Sequence, residues 1–369
     1  MSVLGDWAGL ARDTFHSLTR EDFAGVYKRE WPEARKQLVS QHSEEIEQER
    51  RRWKRWLRNG NAIVFGLVQR LTPARRTFFA LGLIIFISGF WNLAAGSRIA
   101  GAIDLLIGFL IFMLLLAMEL IDKITFRDEL VLARELQANL VTQEPPAHPS
   151  YDLDAFNRTA NMVGGDLYEF VLLPGDRLAL LFGDASGHGM TAGLVMAVAH
   201  AGFRTQLEID ASPPKMVAAL NRILCATGGA RSFFSGIYVL FEPDGRFTMT
   251  VSGHPPAVQI DPAGNILQRF GQGSYPLGIR ANLEWAPVTG TLKPGEMLLL
   301  YSDGLYEACD EADNQFGEER IERAIRRFAG ESPRALVTEL SQQLSDFCGR
   351  RSPEDDVSIA AIRRKISTA

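Results

Sequence analysis

The stretch LALLFGDASGHGM, from Leu178 to Met190, decides the fold class. Its first half is a short run of aliphatic and aromatic residues of the kind that forms a buried β-strand. The run ends on Asp184, after which two glycines flank a histidine in a turn too tight for most residues. Because a carboxylate at the end of a buried strand is costly to desolvate alone, we expect other groups to converge on Asp184.

Other short apolar runs follow in the C-terminal part of the chain: FFSGIYVLF, RFTMTVSG, EMLLLYSDG and DVSIAAIR. The segments FEPDGRF and IDPAGNI have the composition of turns, so neighbouring strands are expected to pair as hairpins. Four helical stretches lie between these runs, beginning at MTAGLVMAV, PPKMVAAL, EERIERAI and SPRALVTEL. Strands and helices do not alternate strictly, so residues 151–366 are predicted to form an α+β domain with helices covering antiparallel sheets.

Acidic residues share one context in this region. Asp166 opens a strand behind two glycines, Asp184 and Asp303 close strands, and the pair Asp355 and Asp356 opens the last strand. Several carboxylates at one sheet edge repel each other unless a cation compensates them. Oxygen-only ligand sets suit Mg²⁺ or Mn²⁺. The spacing supports a two-metal hydrolase; the alternative is a set of separate turn-forming and capping aspartates.

Several other chemistries are disfavoured by the sequence. The three cysteines lack a C-x-x-C pattern, which favours reduced, packed thiols. His188 and His254 each follow a glycine in a turn, where a backbone hydrogen bond is a more common role than metal ligation. The segment GDASG is not a G-x-S-x-G elbow, and the glycines match neither a P-loop nor a dinucleotide fingerprint. A net charge of −5 argues against general nucleic-acid binding.

Two apolar segments, Thr77–Ala95 and Ile99–Met118, each approach the length needed to span a bilayer. Three arginines precede the first segment, a lysine and an arginine follow the second, and only Arg98 lies between them. The positive-inside bias then predicts a transmembrane hairpin over residues 77–118 of the cytoplasmic membrane, with both termini in the cytoplasm. No secretory signal is expected before it, and the alternative is a buried helical hairpin. Asp104 is either an intramembrane functional group or a residue that reaches the interface.

The flanking regions complete the predicted organisation. Residues 1–76 form a polar, basic cytoplasmic region whose ERRRWKRWLR segment could rest on anionic headgroups or be a solvated helix face. Residues 119–142 are predicted to be a linker helix, because they lack glycine and proline. A homodimer through this helix is an expectation, although three clean heptads are absent. The segment QEPPAHPS ends the helix and marks the domain boundary.

Six ordered motifs resemble those of the PP2C-like bacterial phosphatases of the sporulation stage II E and sigma-regulator type. They are GGDLYEF, GDASGHGMTAGLVM, SGHPPAV, PLGI, LLLYSDGLYEA and DDVSIAAI, and ARELQANLV resembles the helical lead-in of that family. The resemblance covers about residues 133–364 and not the N-terminal region or the hairpin. Ser252 and Gly193 stand where alanines are common in the family, and NLVTQEPP replaces the usual end of the lead-in helix.

The resemblance implies a sandwich of two antiparallel sheets flanked by helices, which hydrolyses phosphoserine or phosphothreonine with two Mn²⁺ or Mg²⁺ ions. It makes Asp184, Asp166 and Asp303 the catalytic carboxylates, with Asp184 bridging both metals. Asp166 and the carbonyl of Ala185 hold one metal, and Asp303 with Asp355 holds the other. Asp356 is kept as a partner of Asp355, and Gly187 and Gly189 shape the turn.

Two functional hypotheses follow. The first is a membrane-anchored Ser/Thr phosphatase acting on a phosphorylated regulatory protein, such as an anti-sigma-factor antagonist. Its linker helix would localise the catalytic domain and switch it. The second is a non-enzymatic signalling scaffold that uses the same fold to bind a partner. A missing metal carboxylate would favour the second, and the sequence lacks none of them.

Overall fold

The computed structural model describes residues 68, 71–140, 144–187, 189–227, 232–271, 273–349, 351 and 353–366. Contacts divide the chain into two compact units, Met1–Ile124 and Thr125–Ala369. The predicted basic segment ERRRWKRWLR and His188 lie outside the described residues.

Two helices make up the described part of the first unit. Helix α1 runs over Pro73–Ala94, begins with a proline in its first turn, and is followed by a left-handed Gly96 that starts the reversal into α2. Helix α2 runs without a break over Arg98–Leu140 and therefore continues into the second unit. Both helices are long and apolar enough to cross a membrane, and only 11% of each apolar window is buried. The predicted helical hairpin and the helix that leaves it are thus present.

The hairpin is held together by close backbone approach and by polar contacts. A Cβ on Gly89 would lie 2.9 Å from the backbone nitrogen of Leu105, so the two helices touch at this glycine. The carboxylate of Asp104 accepts hydrogen bonds from Ser88 Oγ and Asn92 Nδ2, both at 2.8 Å. Asp104 therefore faces α1, where its Oδ2 accepts two hydrogen bonds.

Ten strands of the second unit form two five-stranded sheets, and all the described pairings are antiparallel. The first sheet has the order β1-β10-β9-β6-β7 and the second the order β2-β3-β4-β5-β8. In chain order the strands are β1 Tyr151–Arg158, β2 Leu167–Leu173, β3 Arg177–Ala185, β4 Phe234–Phe241, β5 Arg246–Ser252, β6 Ala257–Ile260, β7 Ile266–Phe270, β8 Val288–Thr291, β9 Met297–Tyr301 and β10 Val357–Arg364.

Helices cover the outer face of each sheet. Against the second sheet pack α3 and α4, and against the first pack α6 and α7, while the short α5 follows β9 directly. The bounds are α3 Met190–Ile209, α4 Pro213–Thr227, α5 Asp303–Glu307, α6 Glu318–Phe328 and α7 Pro333–Cys348.

Alternation along β3 shows how the layers form. Leu178, Leu180 and Phe182 face the other sheet, whereas Ala179 and Leu181 face α3 and α4. All of these side chains are at most 1% exposed. An apolar strand buried on both faces explains why its sequence is a continuous apolar run rather than an alternation of apolar and polar residues.

An ion-pair cluster fastens α3 to β2. Glu169 is 1% exposed and contacts the guanidinium of Arg204. His200 Nε2 also lies 3.0 Å from Glu169 Oε2, but the approach is too bent for a hydrogen bond. Since α3 begins next to the turn that follows Asp184, this cluster fixes the helix that leads away from the candidate site.

Replacing Glu169 should loosen this attachment. Glu169→Ala is expected to lower the free energy of unfolding by about 2 kcal/mol, because it removes the buried carboxylate that contacts Arg204 and leaves a cavity between β2 and α3. The control Arg246→Ala removes a side chain that is 69% exposed and pairs with Asp244 on the surface, so it should cost less than about 1 kcal/mol. Urea unfolding measures both values, and equal losses in the two variants would contradict the assignment.

Candidate functional site

The sheet register brings the acidic positions to one edge of the sandwich. Asp166 directly precedes β2, and Leu167 is paired with Gly183, so Asp166 lies beside the end of β3 that carries Asp184. In the other sheet the end of β9 is paired with the start of β10, which brings Asp303 next to the segment that carries Asp355 and Asp356. The predicted convergence of these residues is therefore present in the backbone.

Two glycines let the loop before β2 approach the turn after β3. A Cβ on Gly165 would lie 2.8 Å from the carbonyl oxygen of Ala185 and 2.9 Å from Asp184 Oδ1. A Cβ on Gly164 would lie 2.5 Å from Asp356 Oδ2. A side chain at either position would collide with these oxygen atoms. Glycine at both positions therefore allows the oxygen atoms to lie against the loop before β2.

Asp356 braces this loop. Its carboxylate is 5% exposed and accepts hydrogen bonds from the backbone N–H groups of Ala160 and Gly165. Burial raises the pKa of Asp356, and the backbone donors act in the opposite direction. Both carboxylate oxygens are thus engaged with the loop that carries Asp166.

Asp166 is held by a chain of hydroxyl groups between the sheets. Ser302 Oγ donates to Asp166 Oδ2 at 3.0 Å, and the backbone N–H of Ser358 donates to Ser302 Oγ at 2.9 Å. Asn157 Nδ2 donates to Ser358 Oγ at 2.8 Å. Because Asp166 is only 2% exposed, this chain fixes the direction of its carboxylate.

The electrostatic environment of the site is unfavourable to bare carboxylates. Burial raises the pKa of Asp184, and the negative charges of Asp166, Asp303 and Asp355 raise it further. Burial likewise raises the pKa of Asp166, with hydrogen bonds from Ser358 and Ser302 opposing the rise. The arrangement gathers negative charge that a cation would stabilise.

The residues at this edge fit a hard divalent cation by their donor chemistry. Asp184, Asp166, Asp303, Asp355 and the Ala185 carbonyl supply only oxygen atoms, and Gly165 leaves space beside two of them. Among the described residues, no group of three or more Asp, Glu, His or Cys side chains is arranged so that it could hold a metal ion. The carboxylates instead accept protein hydrogen bonds, such as that from Gly304 N–H to Asp303 Oδ1 at 3.0 Å.

A cavity of about 280 Å³ opens beside Asp303 and is also lined by Ser235, His254, Ser274 and Tyr306. The Nδ1–H of His254 donates to the carbonyl of Pro255 at 3.0 Å, which is the backbone role expected for a turn histidine. Burial lowers the pKa of His254 to about 4, so the ring is neutral near pH 7. The cavity gives a reactant access to the acidic edge.

Some residues that matter here carried no signal of their own in the sequence. Ser302 and Ser358 lie within the acidic motifs SDG and DDVS, and that position is the clue the sequence gives to their role. Gln137 of α2 forms two hydrogen bonds with the backbone of Gly164, at 2.7 and 3.0 Å. The helical pattern indicated that Gln137 lies on a helix, but not that its amide pairs with the glycine loop.

Comparison with known proteins agrees with this geometry. Residues 174–365, slightly more than half of the chain, match the family model described as stage II sporulation protein E. The phosphoserine phosphatase RsbP of Bacillus subtilis is 28% identical over 190 residues, which are 50% of this chain and 47% of RsbP. The phosphoserine phosphatase RsbU of the same organism is 24% identical over 244 residues, 65% of this chain and 71% of RsbU.

A solved structure supports the fold. The SiaA-PP2C domain of Pseudomonas aeruginosa superimposes with a TM-score of 0.57 at 17% identity, covering 66% of this chain and 98% of that domain. The predicted PP2C-like sandwich of two antiparallel sheets with flanking helices is confirmed. The match to RsbP spans about half the length of that relative.

The bracing contact of Asp356 makes a testable prediction. In Asp356→Asn one carboxylate oxygen becomes an NH₂ group that faces a backbone N–H. The amides of Ala160 and Gly165 should then exchange with deuterium about tenfold faster or more, because a hydrogen bond to a charged group is worth about 1.5–3 kcal/mol.

The matched control is Glu354→Gln, whose side chain is 78% exposed and pairs with Arg351 on the surface. Hydrogen exchange read by mass spectrometry should find the 160–166 loop of this control unchanged. Equal protection of that loop in Asp356→Asn and the unsubstituted protein would show that Asp356 does not brace it.

Proposed function

Since the chain belongs to the stage II sporulation protein E family, we propose that it is a metal-dependent protein phosphatase that hydrolyses phosphoserine or phosphothreonine. The observation that carries this proposal is the convergence of Asp184 with Asp166, Asp303 and Asp355 at one edge of the sandwich. Four carboxylates around one space are costly to the protein, and burial with neighbouring negative charge raises the pKa of Asp184 and of Asp166. Phosphoryl transfer with two metal ions gives these carboxylates a use.

Each carboxylate receives a role from its position. Asp184, on which the charges of Asp166, Asp303 and Asp355 all act, would be shared by two Mn²⁺ or Mg²⁺ ions. Asp166 and the carbonyl of Ala185 would hold one ion, while Asp303 and Asp355 would hold the other. When bound, the ions supply Lewis-acid activation of water and neutralise charge on the phosphoryl oxygens.

Asp356 fits a positioning role better than a ligand role. Its two oxygens already accept the N–H groups of Ala160 and Gly165, and they hold the loop that presents Asp166. Asp355 is exposed to solvent in the loop that precedes β10, so its carboxylate is the better placed of the pair to reach a cation. We therefore assign Asp355 as the ligand and Asp356 as its support.

The residues around the cavity favour attack by water over attack by a protein nucleophile. Ser235 and Ser274 are near, but the Nδ1–H of His254 is used by Pro255 and its Nε2 makes no hydrogen bond with any described residue. A serine without a base is a weak nucleophile. The metal-site carboxylates are the groups left to organise the reaction.

The substrate is proposed to be a phosphorylated regulatory protein of a partner-switching system, such as an anti-sigma-factor antagonist. RsbP and RsbU are named phosphoserine phosphatases, and this supports the class of substrate. The second candidate, a scaffold without activity, would be favoured by a missing ligand carboxylate. All the expected acidic positions are present in the sequence.

We further propose that helices α1 and α2 anchor the protein in the cytoplasmic membrane with both ends in the cytoplasm. Their length and apolar composition support an anchor, and Asp104 is satisfied by Ser88 and Asn92 rather than exposed to lipid. Arg75 lies at the opposite end of the hairpin from its turn and pairs with Glu119 and Asp122. Such a charged cluster suits the aqueous side of a membrane.

The linker helix is proposed to localise the catalytic unit and to regulate it, and a homodimer through this helix remains part of the proposal. The contact between Gln137 and Gly164 supports the regulatory role, since it joins α2 to the loop of Asp166. A displacement of the helix end would remove two hydrogen bonds from that loop.

Loss of the central carboxylate should abolish catalysis. Asp184→Asn is expected to lower Mn²⁺-dependent kcat/KM for p-nitrophenyl phosphate and for a phosphoserine peptide at least about a hundredfold, because the shared ligand is removed. The Asp346→Asn control changes an exposed aspartate of α7 and should keep full activity. Absence of turnover by the unsubstituted protein, or full turnover by Asp184→Asn, would refute the proposed activity.

The proposed topology can be tested by labelling. Ser97→Cys lies at the exposed turn between α1 and α2 and should react with a membrane-impermeant maleimide in intact cells. With Cys225, Cys309 and Cys348 replaced by serine in both variants, Ser345→Cys, exposed on α7, should react only after the membrane is opened. Labelling of the second site alone in intact cells, or release of the protein by alkaline carbonate, would contradict the anchor.

A further inference from the structure

A second cavity, of about 560 Å³, lies on another side of Asp166 and has no role in the chemistry described above. Its walls come from the end of α2, the end of β1 and the loop before β2, and it includes Arg134, Asn157, Arg158, Met162 and Asp166. The cavity is open to solvent and reaches a proposed metal carboxylate. A molecule bound at the metal site could therefore extend into it.

The cationic groups of this cavity are Arg134 and Arg158. Within the described ranges, neither guanidinium forms an ion pair with a carboxylate, whereas Arg204, Arg269 and Arg363 each do. Arg158 is half-buried. A half-buried charge without a counter-charge has lost part of its hydration, so an anion entering the cavity would be favoured.

The carboxylate of Asp166 does not neutralise these arginines. Its Oδ2 accepts from Ser302, and its charge environment is set by Ser358, Asp356 and Asp303. The lining of the cavity thus has two guanidinium groups on the side of α2 and the end of β1, and the carboxylate of Asp166 on the side of the catalytic edge. This polarity can orient a substrate that carries a phosphate at one end and a carboxylate at the other.

We propose that this cavity binds an acidic side chain that lies close in sequence to the phosphorylated residue of the substrate protein. The inference rests on the proposed phosphatase activity. An extended peptide advances about 3.3–3.6 Å per residue, so an Asp or Glu within a few positions of the phosphoserine can reach the two arginines. The apolar side chain of Met162 and the end of β1 line the same cavity. They give the methylene groups of the bound Asp or Glu a surface to contact.

The test compares three phosphoserine peptides that differ only in the flanking residues, which are aspartate, asparagine or lysine. The full-length protein in detergent with Mn²⁺ should prefer the acidic peptide over the neutral one by about fivefold in kcat/KM. Arg158→Gln and Arg134→Gln should each reduce this ratio towards one. Arg158→Glu should reverse the preference in favour of the lysine peptide.

The control is Arg222→Gln on α4, which is exposed and does not line the cavity. It should retain the preference for the acidic peptide. Equal kcat/KM for the three peptides with the unsubstituted protein would overturn the inference, as would a preference that survives in both Arg158→Gln and Arg134→Gln.

Fluorescence anisotropy separates this inference from the proposed function. The same peptides, labelled and added to the unsubstituted protein without turnover being measured, should bind in the order acidic, neutral, lysine. Absence of p-nitrophenyl phosphate hydrolysis would refute the phosphatase activity alone. Equal affinities for the three peptides would refute the arginine cavity alone.

Discussion

The mutual repulsion of carboxylates at one sheet edge is the constraint on which the rest of the structure depends. Burial and neighbouring charges raise the pKa values of Asp184 and Asp166, so the fold holds these groups together against an electrostatic cost. The surrounding architecture supplies the restraint. Two antiparallel sheets with large apolar interiors fix the strand ends, and the carboxylates follow those ends.

Individual hydrogen bonds then fix the position of each carboxylate and of the glycine loop. Asp356 ties the glycine loop to the start of β10, and the serine chain ties Asp166 to the end of β9. Gly165 allows the backbone to come within reach of Asp184 and Ala185. Support of this kind around a catalytic group limits its motion and lowers the cost of organising charge during a reaction.

Much of this arrangement was predictable because the signals are local. Apolar runs ending on Asp184 and Asp303 identified two strand ends, and the uninterrupted helical pattern identified α2. The turn IDPAGNI indicated the hairpin of β6 and β7, whereas β1 and the four-residue β8 were not singled out as runs, since strands of this kind depend on pairing with their neighbours. The brace by Asp356 and the pairing of Gln137 with Gly164 join residues far apart in the chain, and no spacing rule reveals such contacts.

Isothermal titration of Mn²⁺ into the full-length protein in detergent tests the central claim most directly. The carboxylate edge should bind two ions for each chain, and Asp184→Asn should weaken that binding about a hundredfold or more, because both ions lose a shared ligand. An absence of Mn²⁺ and Mg²⁺ binding, or identical titrations for Asp184→Asn and the unsubstituted protein, would contradict the account.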